Sequence, residues 1–420
     1  MAEIKPIKPL RYTAAAGDIS TCVCPPYDII SPEQREELIK QNPYNIVRLE
    51  LPDGGDKYSS AGKTLEKWLE DGILARDEDE GIFVYRERFE VAAEKYELTG
   101  IVCLVKLCDF SENIVLPHEE TLKKAKQDRF ELMCATGCNF SSVYALYNGG
   151  ADIAGIIAGA VSEEPLYSFT DGEGVTHLLW KIVDKALIKT VTDSFKGKQL
   201  FIADGHHRYE TALNYRDHLK NSGKPVGGAD YVMMTLVDMD DKGLVIFPTH
   251  RLIVGMKVDA DELRKKCEED FFTAERGLQT LEADLAQHKD SVAFALYTGG
   301  DKYLLLTAKD RIKNTVFDGG SKARSGLDVS ILHKFILEKA LGIDKENMAN
   351  QKNLRYTRSA EEAVASVQSG ESSAAFLINP TKIGQIKDVA LAGDKMPQKS
   401  TYFYPKLITG LIVNMFEGDK

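Results

Sequence analysis

Residues 199–216, QLFIADGHHRYETALNYR, constrain the chain more than any other stretch. Gln199 to Ala203 is an apolar run of strand length, Asp204-Gly205 is a turn pair, and Tyr209, Ala212 and Leu213 begin the apolar face of a helix. The chemistry sits at the junction. A helix N-terminus presents unpaired N–H groups and a positive dipole end, and Gly205 lets the backbone approach a ligand closely. Arg208, His206 and His207 add donors suited to phosphate oxygens. Asp204 has two roles open to it: orienting a histidine, or holding an Mg2+ ion that bridges phosphates, because a hard oxygen ligand suits that ion. The plainer reading is a surface turn whose histidines cap a core-facing helix.

The rest of the chain frames that junction. With 420 residues it exceeds the size at which one core stops growing, so more than one domain is expected. Ser31 and Pro32 start a helix running to Lys40, Lys63 to Leu74 places Leu65, Trp68, Leu69 and Ile73 on one helical face, and Thr121 to Cys134 suits an amphipathic helix. NIVRLEL, Asn45 to Leu51, reads as a strand, as do Ile82 to Glu90, Tyr96 to Cys108 and Ser141 to Tyr147. A further helix and strand set follows His250-Arg251, with a helix from Val329 to Leu341 and a strand from Ala374 to Ile378. The expected class is therefore mixed α/β, divided into residues 1–100, 101–255 and 256–420.

Charge and composition exclude several functions. A formal charge of -11, with no long Lys/Arg block, argues against a nucleic-acid partner. No apolar run approaches the roughly 18 to 20 residues that cross a bilayer, and MAEIKPIKPL lacks the apolar stretch of a secretory signal. A soluble, cytoplasmic chain without a membrane partner is the expectation. Seven cysteines with no C-x-x-C read as free thiols rather than a metal or disulfide framework. Ala61-Gly62-Lys63-Thr64 imitates a phosphate loop, but Lys57 stands where the first glycine of that motif belongs. His333 reads as a hydrogen-bonded, partly buried helix residue, and Tyr27 and Asp28 as turn residues that also suit a pocket wall.

The histidine segment resembles the ParB/sulfiredoxin superfamily, most closely its nucleotide-dependent free serine kinases, through the complete series Asp204, Gly205, His206, His207 and Arg208. Leu116-Pro117-His118-Glu119 resembles the segment that carries the catalytic glutamate in those kinases. The Gly393 to Thr401 loop after SAAFLINPTK resembles a third shared element. An Arg-His pair of the kinase pattern is replaced here by Tyr402-Phe403, with Lys406 as a replacement charge. CPPYD, ADGHHRYETA and MPQKSTYFYPKL extend the likeness, across most of the chain, to a bacterial and archaeal family of uncharacterised ParB/sulfiredoxin-like proteins.

The resemblance implies a ParB/sulfiredoxin-like catalytic core with an insertion over 101–255, an N-terminal α/β unit before it and a C-terminal unit that closes over substrate or nucleotide. It implies transfer of a phosphoryl group from ATP or ADP to a small hydroxy compound, L-serine first, with Mg2+, in either direction. Glu119 is then the general base, Asp204, His206, His207 and Arg208 are catalytic, and Gly205 to Arg208 bind phosphate. Candidate substrate contacts are His118, Lys126, Arg129, Asn139, His250, Arg251, Lys399, Ser400, Thr401 and Lys406. From the residues alone, Glu119 is an acidic residue at a helix start, and Lys126, Asp128 and Arg129 are a solvated helix face. Two other functions remain: a ParB-like switch that binds or hydrolyses nucleotide, and a noncatalytic metabolite-binding protein. A sulfiredoxin-like reductase fits less well, since His206 stands where its cysteine belongs.

Overall fold

The computed structural model describes residues 1–121 and 123–416, without the side chains of 123–125. Two compact units emerge. Met1–Pro117, Thr121–Val245 and Pro405–Lys420 form the first, and His118–Glu120 with Ile246–Tyr404 form the second. Both mix helices with strands, so the class is α/β.

A nine-stranded mixed sheet is the spine of the first unit. Its order is Val115–Leu116, Leu200–Asp204, Val143–Tyr147, Tyr231–Asp238, Glu94–Lys106, Ile82–Val91, Thr176–Ile182 and Tyr167–Thr170, with Ile4–Lys5 also paired to Glu94–Lys106. Leu200–Asp204 runs parallel to Val115–Leu116 and antiparallel to Val143–Tyr147. Its Leu200, Phe201, Ile202 and Ala203 are all buried, which explains a continuous apolar run in place of alternation. Helix His206–Asn221 packs on helix Lys123–Thr136 and buries Tyr209, Ala212 and Leu213 in the sheet's core. Burying a Leu-sized side chain stabilises by about 1.5 to 3 kcal/mol, which fixes this helix on the sheet. Leu122, inside the amphipathic run expected as a helix, lies outside the described residues.

A second core of this unit surrounds Trp68, whose helix Lys57–Glu70 buries Ala61, Leu65 and Trp68 on one face, as their spacing requires. NIVRLEL departs from expectation. It is a helical turn, Val47–Glu50, and not a strand. The Asn45 side chain causes this: its oxygen accepts from Val47 N at 3.0 Å, and its amide donates to the carbonyls of Thr21 and Val23, each at 2.8 Å. Such side-chain bonds compete with a strand ladder.

The second unit is built on a six-stranded antiparallel sheet, ordered Phe271–Gly277, Lys302–Ala308, Ala293–Tyr297, Ala374–Ile378, His250–Ile253 and Leu354–Thr357. Successive residues serve opposite faces. Phe294, Leu296 and Phe376 join one core, and Ala295, Tyr297 and Leu377 join the other. Helix Ala260–Cys267 and the segment Leu332–Glu338 cover the first face, while Leu281–Gln287 and Ala360–Gln368 cover the second. Val329 to Leu341, expected as one α-helix, begins as α over Asp328–Ile331 and widens to a π-helix over Leu332–Glu338. Among the described residues, no helix is long and apolar enough to cross a membrane.

Candidate functional site

In the first unit, the strand ends at Asp204 and Gly205 turns the chain into a sixteen-residue helix with no side-chain cap. Gly205 stands at φ 90°, and a Cβ there would come within 2.8 Å of Arg208 Nε. Both facts select glycine: the left-handed conformation, and the close approach of the guanidinium. Arg208 donates from Nη2 to Asp204 Oδ2 at 2.8 Å and from Nη1 to the Ser142 carbonyl at 2.5 Å. Lys406 donates to the other carboxylate oxygen, Oδ1, at 3.0 Å. Burial by itself raises the Asp204 carboxyl, but Lys406 and Arg208 outweigh it, and it titrates well below the usual carboxylate range.

This carboxylate therefore orients two cations at the helix N-terminus. Tyr209 fixes the helix from behind, donating to Cys108 O at 2.8 Å and accepting from Cys108 N at 3.0 Å. His206 is buried and His207 is half-buried beside Asp204. A helix N-terminus without a side-chain cap, with an arginine and a lysine fixed beside it, makes an anion cradle suited to phosphate oxygens. The donors do not by themselves form a magnesium site: both Asp204 oxygens face cations, and no group of three or more His, Cys, Asp or Glu among the described residues is placed to hold a metal. All seven cysteines are free thiols.

A second polar group in the same unit centres on Arg129. Its guanidinium donates to the Glu50 carbonyl at 2.6 Å and to Asp128 Oδ2 at 2.5 and 3.0 Å, and it lies over the Tyr27 ring at 4.1 Å. Ser141 donates to Glu50 Oε1 at 2.9 Å, while Lys57 and Tyr58 both reach Asp128 Oδ1, at 2.6 and 2.9 Å. Burial pushes Tyr27 up to about 12 against the opposing charges of Arg129 and Arg208, so its hydroxyl remains a donor at neutral pH. Burial also raises Glu50, with Arg129 opposing. Glu50, Lys57 and Tyr58 were not among the sequence candidates. A lone acid inside the apolar NIVRLEL was the available signal for Glu50.

Two other candidates in this unit are engaged by the fold itself. Lys126 donates to Glu210 Oε2 at 2.5 Å, which also accepts from Thr121 at 2.8 Å. Asn139 is buried, and its side-chain oxygen accepts from Met233 N at 3.3 Å and Asn414 Nδ2 at 2.9 Å.

The second unit gathers His118, Glu119, Arg251, Lys399 and Thr401. Glu119 Oε1 accepts the backbone N–H of Lys399 at 2.9 Å, and His118 Nε2 lies 3.1 Å from Thr401 Oγ1. Lys399 stands at φ 57°, an uncommon conformation for a residue with a side chain. Fully buried Arg251 donates from Nη2 to the Lys399 carbonyl at 3.1 Å and also bonds the Thr249 carbonyl. Burial lowers Arg251 to about 10, although Tyr356 and Glu119 oppose the shift. His250 accepts from Ile378 N at 3.2 Å, and burial followed by the Arg251 charge lowers it to about 4, so it is neutral. Ser400 is buried and donates to the Pro397 carbonyl at 2.5 Å. His333 differs from expectation: it is buried, yet its Nε2 has no hydrogen-bond partner among the described residues.

Fold and site together define an α/β protein whose first unit carries a strand, glycine turn and helix with two cations held on Asp204. The chain belongs to the family described as protein of unknown function DUF1015, which its sequence matches over residues 4–330. No curated protein matches it. Among solved structures, a conserved hypothetical protein from Pyrococcus furiosus is 14% identical over 75% of this chain and 95% of its own, with a TM-score of 0.37. A free serine kinase in complex with AMP is 14% identical over 72% of this chain and 86% of its own, with a TM-score of 0.35. SbnI from Staphylococcus aureus, with a C-terminal truncation, is 10% identical over 76% and 90%, with a TM-score of 0.38. Likeness this distant carries no functional inference.

Proposed function

We propose that the protein is a phosphotransferase with a ParB/sulfiredoxin-type phosphate loop, acting on a small free hydroxy compound and most simply converting L-serine to O-phosphoserine with ATP or ADP. The observation that carries this reading is Asp204 holding Arg208 and Lys406, one on each carboxylate oxygen, at an uncapped helix N-terminus. Fixed cations and helical N–H groups stabilise the charge on a transferring phosphoryl group without reorganising when it moves. Arg208, Lys406 and the backbone after Gly205 bind the donor phosphates in this reading.

Glu119 accepts the acceptor's hydroxyl proton. The hydroxyl oxygen then bonds to phosphorus as the bond to the departing nucleotide oxygen breaks, and the electron pair of that bond leaves with the nucleotide. Lys399 and Thr401 stand beside Glu119 in the same unit and serve as acceptor contacts. The reaction is reversible in principle, since each group returns its proton or phosphoryl by the same path.

One observation favours a noncatalytic metabolite-binding reading: Glu119 already accepts a backbone N–H, which is also what a purely structural carboxylate does. Incubating the purified chain with L-serine and either ATP or ADP, and measuring phosphoserine by mass spectrometry, separates the two. No phosphorylated product across serine and a panel of small alcohols would sink the transferase reading.

A further inference from the structure

The second unit holds a half-open cavity of about 170 Å³ that none of the proposed catalytic residues lines. Two of its wall residues, Ser330 and His333, are 3% and 8% exposed. Ser330 Oγ and His333 Nε2 both lack a hydrogen-bond partner among the described residues. Buried polar atoms are nearly always satisfied by protein, water or ligand, so two in one cavity wall point to something that binds there. They lie three residues apart, where Asp328–Ile331 passes into the π-helical Leu332–Glu338. That spacing puts both side chains on one helix face, and π-helical turns concentrate at functional sites.

Of the charged residues around the cavity, all but the exposed Glu120 are matched. Lys334 pairs with Asp318 at 2.7 Å and Glu338 at 3.1 Å, Lys345 with Asp318 at 2.9 Å, and Arg324 with Asp394 at 3.8 Å. An anion would have to break such a pair to reach a cation, whereas a neutral ligand leaves all of them intact. Burial, reinforced by the charge of Arg251, pushes His333 far below the usual histidine range, so its imidazole is neutral and its Nε2 either donates or accepts. Phe317, Tyr356, Met348 and Met396 supply the apolar wall. An apolar cavity of about 150 Å³ takes one benzene ring, so this volume suits a single ring with small substituents.

We propose that this cavity binds a small uncharged heterocycle of one ring, pyrimidine or pyridine in size, with its polar edge on Ser330 and His333 and its faces against Phe317, Tyr356 and the methionines. The proposal does not rest on the phosphotransferase reading.

The test titrates the full chain with uracil and with nicotinamide, following binding by saturation-transfer NMR and calorimetry. L-serine and benzene serve as the zwitterionic and apolar comparisons. One ring compound is expected to bind more tightly than either comparison. Ser330→Ala should weaken it about five- to tenfold, the value of one neutral hydrogen bond, while leaving the melting temperature equal or higher because an unsatisfied hydroxyl is gone. Ala349→Trp, at an exposed position of the cavity wall, should abolish binding without touching the core. The proposal is overturned if neither ring compound binds the wild-type chain, if binding survives both substitutions, or if L-serine or benzene binds as well as the heterocycles.

Discussion

The Glu119 carboxylate accepts the backbone N–H of Lys399 at 2.9 Å, 280 residues further along the chain. Glutamine keeps an acceptor oxygen at that position but cannot take a proton. Glu119→Gln should therefore retain the Lys399 contact and the wild-type stability, while phosphoserine formation falls by about 100- to 10,000-fold, the usual worth of a general base. Because phosphoryl transfer has a loose transition state, a smaller loss would mean that Glu119 positions the hydroxyl without deprotonating it. Turnover and nucleotide affinity are measured on the same preparation. Wild-type turnover in the variant would remove Glu119 from the chemistry.

Arg208→Ala removes a guanidinium held by Asp204 and the Ser142 carbonyl. A hydrogen bond to a charged group is worth about 1.5 to 3 kcal/mol, so ADP affinity should drop roughly 10- to 100-fold. Arg208→Lys should recover only part of it, since an ammonium cannot make both contacts in the guanidinium's planar geometry. Calorimetric titration of the folded variants checks this, and unchanged affinity in Arg208→Ala would take the residue out of the phosphate site.

Lys406→Met keeps most of the side-chain stem and removes the charge on Asp204 Oδ1. The folded-state pKa of Asp204 lies below the value of an unstructured aspartate, so its contribution to stability is complete above about 4 and is lost as pH falls toward the folded value. Without Lys406 the folded value rises, so this contribution is smaller at every pH above it and its loss is complete at a higher pH. Acid unfolding followed by circular dichroism should show a midpoint shifted upward in Lys406→Met, and an unshifted midpoint would mean that Arg208 alone sets the aspartate's charge.

Glu87 gives the opposite sign. It is 1% exposed, burial raises it from 4.5 to about 8, and Tyr85 donates to it at 2.9 Å. Between those two values the folded state holds the proton that the unfolded chain releases, so stability should decline as pH rises from about 4.5 to 8. Glu87→Gln should flatten this decline, by an amount on the order of a few kcal/mol at pH 8. Urea unfolding at pH 5 and pH 8 measures it. Parallel curves for both proteins would mean that Glu87 is ionised in the fold.

The strand, turn and helix around Asp204 were legible because each piece follows local rules: a doubly buried strand has no alternation, and a left-handed turn against a guanidinium requires glycine. The Lys57–Glu70 helix was legible in part, from the spacing of Leu65 and Trp68, but it begins before Lys63 and ends before Ile73, and Leu74 opens a strand. Asn45 to Leu51 was not, because its helical turn depends on carbonyls of Thr21 and Val23 that no local window contains. Partners distant in sequence also hid the roles of Asn139, which serves Met233 and Asn414, and of Lys57, which reaches Asp128 although it spoils the phosphate-loop imitation nearby. His333 is helical as expected but in a π-helical turn, and only packed neighbours can leave its Nε2 without a partner.

Lys406 is translated after the whole of the second unit, 202 residues later than the aspartate it pairs with. At typical synthesis rates of about 5 to 20 residues per second, that gap lasts roughly 10 to 40 s. Throughout it the nascent chain carries Asp204 and Arg208 without the lysine, so the anion cradle stays incomplete until the second unit has been synthesised. A ribosome that stalls within the second unit would leave a polypeptide with the histidine loop in place and half of its charge clamp missing.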